Sequence, residues 1–519
     1  MFDILFKNAR ILDGTGNPWF YGDVGIRGSQ IAAVGKLDET AETVIDVGEK
    51  FLAPGFIDAH IHTDVVLLAD PVHAAGLRQG VTTHIIGQDG ISFAPASQAT
   101  LDYMRAYFAA INTVPDIGWD WSSVTEYLDR FDERVGANVA YLIPHGNLRL
   151  EAMRLANRAP TADELAHMQR LAAEGMAQGA VGFSTGLDYI PCPYADTDEL
   201  IAIARAVAPY GGVYVTHQRS YAPDAVAEAT RESLRIGEAS GAAVHISHFN
   251  GRADVLLPLI DEGRRRGVDV TYDTYCYLAS CTILAMSALP QWVQAGGPWE
   301  TEQRLRQPEI RERLRPWLEA PERRLAHLQL SYVPDHPEEE GLPIPEAAAR
   351  VGLSSADYVC ERLADTHVSV CALGYHAGLR TEADMVAIMQ HPAHMVGSDG
   401  IFSGSRPHPR GYGCFARTLA YHTRERGDFT WEAAVRHMTS HAARRFHLTD
   451  RGQVHAGFAA DLVVFDPDRI QDKATFENGA QLAEGVEHVV VNGKFALRDG
   501  EVTGALAGRA LRRGKRLSP

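Results

Sequence analysis

The sequence is poor in cysteine: six in 519 residues, at Cys192, Cys276, Cys281, Cys360, Cys371 and Cys414. None forms a C-x-x-C pair, so in a chain of this length they read as reduced thiols of a cytoplasmic protein and exclude a disulfide frame. Basic charge is also short. Lys and Arg number 49 against 66 Asp and Glu, a net charge of −17. Phosphate-rich partners need clustered Lys and Arg, so the balance argues against a nucleic-acid or membrane partner. The one basic run, Arg509 to Arg516, reads as a solvated tail. Long apolar runs are missing too, and none approaches the roughly 20 residues that span a bilayer. The opening Met1-Phe-Asp-Ile-Leu-Phe-Lys lacks the charged start, apolar core and small-residue cleavage site of a secretion signal. No internal repeat is evident.

What is present is the composition of a soluble globular protein, 45% hydrophobic and 22% charged. The length calls for a large domain with a smaller one attached. The two ends of the chain look alike. Residues 3–35 and 453–505 both read as short strands joined by turns, with Asn492-Gly493 and Asp499-Gly500 as antiparallel turn chemistry. One β-sandwich assembled from segments 1–53 and 451–519 follows, with two independent hairpins as the alternative. Between them, 54–450 alternates short apolar strands with helical stretches, the pattern of a parallel α/β fold. The candidate strands begin at Gly55, Val81, Val139, Val181, Val213, Ala243, Val268 and Met395, which is the number a (β/α)8 TIM barrel needs. A polar, Pro- and Glu-rich stretch at about 285–350 is too long for a barrel loop and reads as an insertion over the site.

Several of these strands end in groups that do chemistry. His60-Ile-His62 follows Phe56-Ile-Asp-Ala, and residues i and i+2 of a strand project to one side. Two neutral imidazoles at the C-terminal end of a barrel strand suit zinc or a similar metal. Local hydrogen bonding is the plainer explanation of that pair taken alone. His217 ends Val-Tyr-Val-Thr-His, His248 ends Val-His-Ile-Ser-His and Asp399 ends Met-Val-Gly-Ser-Asp, so five such groups converge if the barrel closes. Ser184, in Gly182-Phe-Ser-Thr-Gly, matches a nucleophile elbow by spacing, although no helix follows it.

At this point the chain resembles a known family. Phe51-Leu-Ala-Pro-Gly-Phe-Ile-Asp-Ala-His-Ile-His resembles the first barrel strand of the amidohydrolase superfamily, and Ala459-Ala-Asp-Leu-Val-Val-Phe-Asp its returning sandwich strand. Within it, His145-Gly-Asn-Leu-Arg, Gly182-Phe-Ser-Thr-Gly-Leu-Asp-Tyr, Gly397-Ser-Asp-Gly and Arg406-Pro-His-Pro-Arg-Gly-Tyr-Gly are similar to segments of the D-aminoacylase (N-acyl-D-amino-acid deacylase) family. The resemblance implies one or two Zn2+ ions, another divalent metal being the alternative. Asp89, His217 and His248 would form one site, and His60, His62 and Asp399 would surround a second. It also implies metal-activated water with Asp399 as proton shuttle, a small-molecule N-acyl substrate and a homo-oligomer.

Two departures stand out. Gln88-Asp89-Gly90 replaces the family's Asn-Cys-Gly, a harder ligand than thiolate. Asn250 stands where the family carries a basic residue for the substrate carboxylate. Arg410 matches the family's other carboxylate anchor, and Tyr275 and Tyr277 lie near its pocket tyrosine. These departures keep two alternatives open: a cyclic-amide or other amidohydrolase reaction, and a non-catalytic metal-binding scaffold of the same fold.

Overall fold

The computed structural model describes residues 1–375 and 380–513. Strand β1 (Phe2–Ile11) pairs antiparallel with β2 (Phe20–Arg27), which carries β3 (Gln30–Gly35) on its far side. Strands β4 (Ala41–Asp46) and β5 (Phe51–Pro54) both run parallel to β1. From there the chain enters the barrel with β6 (Phe56–Asp58), β7 (Val81–Ile86), β8 (Asn138–Pro144), β9 (Gly182–Gly186), β10 (Val213–His217), β11 (Ala243–Ile246) and β12 (Val270–Thr274). A side sheet of β13 (Ala279–Ile283), β14 (Leu328–Tyr332) and β15 (Cys371–Tyr375) intervenes before the eighth barrel strand, β16 (His394–Val396). The chain ends in β17 (Leu462–Phe465), β18 (Val486–Val491), β19 (Lys494–Arg498) and β20 (Glu501–Val502).

All eight barrel strands are parallel neighbours in sequence order, and the first meets the last through Ala59 N–H to Val396 O (3.2 Å) and Asp399 N–H to His60 O (2.7 Å). The strands are buried on both faces and rich in apolar residues, with Thr83, His84, Ser184 and Thr185 among the buried polar exceptions. In β8, Val139, Tyr141 and Ile143 pack outward under the helices while Ala140 and Leu142 point inward. The inward layer is completed by Ala442, Ala443 and Phe446. The outer helices carry their own start and stop signals. Thr161 and Glu164 form a capping box on Ala162–Ala177, and Gly241, at φ 74°, ends Val226–Ser240 in the left-handed conformation.

The two chain ends meet in one nine-stranded sheet, because β17 pairs antiparallel with β5 (Leu52 opposite Val464). That pairing excludes separate hairpins. The sheet wraps a core of Ile4, Phe6, Val24, Leu52, Leu462 and Val464, while the alternate residues Phe51, Ala53, Val463 and Phe465 face the barrel. Period-two alternation thus joins sandwich and barrel through a single strand pair.

The basic end of the chain is not a solvated tail over its described part. Arg509 N–H donates to Asn138 Oδ1 (3.1 Å), Leu511 N–H to Val139 O (2.7 Å), and the Arg512 guanidinium reaches Asp132 (2.7 Å) and Asp129. Arg516 and the rest of 514–519 lie outside the described residues. No helix among the described residues is long and apolar enough to cross a membrane.

Candidate active site

The C-terminal ends of the barrel strands open into a cavity of about 680 Å³ lined by His62, Asp89, His217, His248 and Asp399. Parallel strands aim their last residues at one point, which is why side chains far apart in sequence meet here. Asp89 sits at the centre. Its carboxylate lies 3.7 Å from His60 Nε2, 3.5 Å from His62 Nε2, 3.9 Å from His217 Nδ1 and 3.8 Å from His248 Nε2. Asp399 Oδ1 is 3.1 Å from His62 Nε2 and 3.6 Å from His60 Nε2. Three of these residues are held in the left-handed region that non-glycine residues rarely adopt: Asp89 at φ 58°, His248 at φ 34° and Asp399 at φ 51°. Such strain persists only where the surrounding structure imposes it, and it concentrates at functional sites.

The turn that presents Asp89 is built by its neighbours. Ser184 Oγ donates to Gly87 O and accepts from Gly90 N–H (3.0 Å), and Gln88 Nε2 donates to Ala59 O and Ile85 O (3.0 Å each). Both bonds of the Ser184 hydroxyl therefore go to backbone. Ser184 shapes the ligand turn and meets no base, which removes the nucleophile reading. A side chain at Gly186 would put Cβ 2.0 Å from Asp89 O, so the turn closes only over glycine.

The donor set fits a divalent metal. Ligand atoms of Asp89, His217 and His248 lie within 4.8 Å of one another, as do those of His60, His62 and Asp89 and those of His60, His248 and Asp399. Both ring nitrogens of His60 and His217, and Asp89 Oδ1, are buried without a hydrogen-bond partner among the described residues. Orphaned polar atoms at this density are costly unless a ligand satisfies them. The field points the same way. Burial pulls the His60 imidazole down, but Asp273, Asp89 and Asp399 outweigh it and push its pKa up to about 10. The carboxylates thus favour positive charge at that spot. Asp399 itself stays far below the usual carboxylate range: burial raises it, while Arg410 and the bond from His62 lower it further.

The remaining sequence candidates divide. Tyr275 and Asn250 line the cavity, and Asn250 Nδ2 donates to His248 O (3.0 Å). Arg410 is fully buried, with Nη1 2.9 Å from Asp399 Oδ2, Nη2 donating to Cys281 O (3.1 Å), and the Tyr275 ring 4.6 Å away. It is not part of the described cavity lining; it pairs instead with Asp399, which is. Tyr277 packs on His408 and Phe476 and likewise does not line it. The chain leaves β12 at Thr274, so the two tyrosines no longer share a strand face.

Sequence reasoning missed four residues. Asp273 accepts from His245 Nε2 (2.9 Å) and from His248 N–H (2.9 Å), and its Oδ2 lies 3.5 Å from His60 Nδ1. It ends the strand segment Val268-Asp-Val-Thr-Tyr-Asp, the same signal that marked His217. Asp188 stands 3.7 Å from His217 Nε2. The Tyr221 ring lies 5.0 Å from those of both His217 and His248, and only its place after Thr216-His-Gln-Arg hinted at it. Arg380, also on the cavity wall, had no sequence signal.

With this geometry in place, similarity to known proteins is informative. A profile described as the amidohydrolase family matches residues 43–254 and 310–496. The D-aminoacylase of Alcaligenes xylosoxydans xylosoxydans is 35% identical over 522 residues, covering 99% of this chain and 98% of its own. N-acyl-D-glutamate deacylase of the same organism is 35% identical over 500 residues, 95% of this chain and 93% of its own. A crystal structure of N-acyl-D-glutamate deacylase from Bordetella bronchiseptica, complexed with zinc and a phosphonate mimic of the tetrahedral intermediate, matches with a TM-score of 0.84 at 34% identity. It covers 98% of this chain and 99% of that one.

Proposed function

The chain belongs to the amidohydrolase family, and we propose that within it this protein hydrolyses the amide bond of N-acyl-D-amino acids with zinc as its metal. The observation that carries the reading is Asp89 with four histidines around its carboxylate and an ionised Asp399 beside them. Asp89, His217 and His248 would hold one ion, and His60, His62 and Asp399 would surround a second position. Zinc, when bound, supplies a Lewis acid that lowers the pKa of water and polarises the acyl carbonyl. Support for zinc comes from the imidazole-rich donor set and from the zinc-bearing relative.

The protein's own groups do the rest. Asp399 is kept deprotonated by Arg410, so its Oδ1 accepts the proton of the attacking water. The same oxygen then returns that proton to the nitrogen of the departing amino acid. Arg410 does not move protons; it fixes the carboxylate plane from behind. Asp273 anchors the His248 backbone and the His245 ring, so the strained turn after β11 keeps its ligand aimed at Asp89. Tyr221 and Tyr189 wall the His217 and His248 rings and limit the water that reaches them.

The test is turnover of a panel of N-acetyl-D- and N-acetyl-L-amino acids by zinc-loaded protein, with the released amine quantified. D-selective release supports the reading. Hydrolysis of cyclic amides alone, with zinc bound, would remove it.

A further inference from the structure

The cavity wall carries one feature that the catalytic cluster does not use. Arg380 is only 7% exposed yet lines the cavity that holds His217, His248 and Asp399. Its Nη2 donates to Tyr277 O, while Nε and Nη1 have no hydrogen-bond partner among the described residues. Its guanidinium carbon lies 6.0 Å from the Tyr275 ring centroid, and the same ring lies 4.6 Å from the Arg410 guanidinium, which holds Asp399. Arg380 is therefore one aromatic ring removed from the groups that would handle the scissile amide.

A buried guanidinium without a counter-ion is expensive, and proteins retain one where a ligand supplies the missing charge. Burial pulls the Arg380 pKa below its ordinary value, the fields of Tyr275 and Asp384 offset that only in part, and no ion pair holds Arg380 among the described residues. Arg252, Arg323 and Arg324 line the same cavity, and each has contacts of its own. Arg252 is exposed and pairs with Asp254 at 2.6 Å, and Arg323 stacks on the Trp317 ring at 3.9 Å. The Asn250 amide is held by His248 O, and Arg410 is turned to Asp399.

We propose that Arg380 binds the carboxylate of the substrate's amino-acid half, taking the place of the basic residue absent at Asn250. The inference rests on the deacylase reading of the site and adds the specificity-determining group to it. Nε–H and Nη1–H are its donors without a partner among the described residues, and since both are buried the guanidinium would turn about its stem to present them to an acid next to the amide. Charge-assisted bonds of this kind discriminate strongly between a carboxylate and its neutral amide.

The test is calorimetric binding of N-methanesulfonyl-D-leucine, whose sulfonamide resists hydrolysis, and of its carboxamide analogue, to zinc-loaded protein. The wild type is expected to bind the acid about thirtyfold more tightly than the carboxamide. Arg380→Met should abolish that preference with carboxamide affinity unchanged, and Arg380→Lys should keep part of it. Equal affinities in the wild type, or a preference that survives Arg380→Met, would overturn the proposal. A crystal structure of the wild type with the acid decides the matter without any variant. Its carboxylate should lie within hydrogen-bond distance of Arg380 Nε or Nη1, and a carboxylate seated elsewhere sinks the assignment. Acid-selective binding through Arg380 without turnover of the N-acetyl compound would keep this inference and discard the reaction.

Discussion

The two ends of the barrel treat buried polar groups in opposite ways. At the end where the strands begin, Asn138 Nδ2 donates to Thr82 O (3.1 Å) and Asp461 Oδ2 (3.0 Å), and its Oδ1 accepts from Asn492 Nδ2 (2.7 Å). Asp461 is closed off by Arg451 and by Asn492 N–H (2.7 Å). At the other end, His60, His217 and Asp89 keep orphaned atoms, and three residues stand in left-handed backbone. Both sets are buried, so burial does not separate them; satisfaction does, with Asn492 Oδ1 the one orphan among the residues named at the paired end. The paired end holds sandwich, barrel and tail together, and the unpaired end is arranged for something that is not protein.

The largest test of this contrast is Asp399→Asn. It removes the proton acceptor but keeps shape, so kcat should fall about a thousandfold with zinc retained by Asp89, His217 and His248, while the melting temperature falls because Arg410 loses its counter-ion. Near-normal turnover would end the role of Asp399. At the paired end the opposite holds for Asn138→Leu. Unfolding free energy in urea should drop by about 3 kcal/mol as Asp461 and Asn492 lose partners, while kcat of the folded enzyme stays within about twofold. A large loss of turnover there would mean that the two ends are not independent.

Zinc titration of the metal-free protein sharpens the comparison further. An ion held only by the folded chain adds about 2.7 kcal/mol at a hundredfold excess over Kd. That gain should be intact in Asn138→Leu and missing in His217→Ala. The smallest effect concerns His73, a buried polar group away from the site. Burial lowers its pKa to about 4 against 6.5 in the free side chain. The unfolded chain therefore binds the proton first as pH falls, and stability is lost between 6.5 and 4, at up to about 1.4 kcal/mol per pH unit. His73→Gln should flatten that part of a urea-stability profile; an unchanged slope would show that His73 is not the cause.

Much of this was legible in the sequence because the barrel strands are rich in apolar residues and several change abruptly to a metal-ligating or acidic group at their ends. Val-Tyr-Val-Thr-His and Val-His-Ile-Ser-His announce both the strand and the residue at its mouth. Phe51-Leu-Ala-Pro and Leu462-Val-Val-Phe show a strand pair buried on both sides, though not which face meets the barrel. Other features depend on partners remote in sequence. Arg512 reads as solvated until Asp129 and Asp132 are placed beside it. Arg410 reads as a substrate anchor until Asp399 is found against it. Arg380 is informative through the partners it lacks, a property that no string of residues displays. The polar stretch at about 285–350 gave no hint that the chain between β12 and β16 forms a sheet, because its strands are short and separated by helices.

The pairing of β5 with β17 has a consequence for synthesis. A nascent chain leaving the ribosome carries its first five strands long before Leu462–Phe465 exist. Until then β5 offers a bare edge of unpaired backbone, and the tail that docks on Val139 has not yet been made. Chains that stop before residue 462 keep that edge open, the geometry that invites strand addition from a neighbouring molecule. All eight barrel strands thus precede in sequence the segment that closes this edge of the sheet.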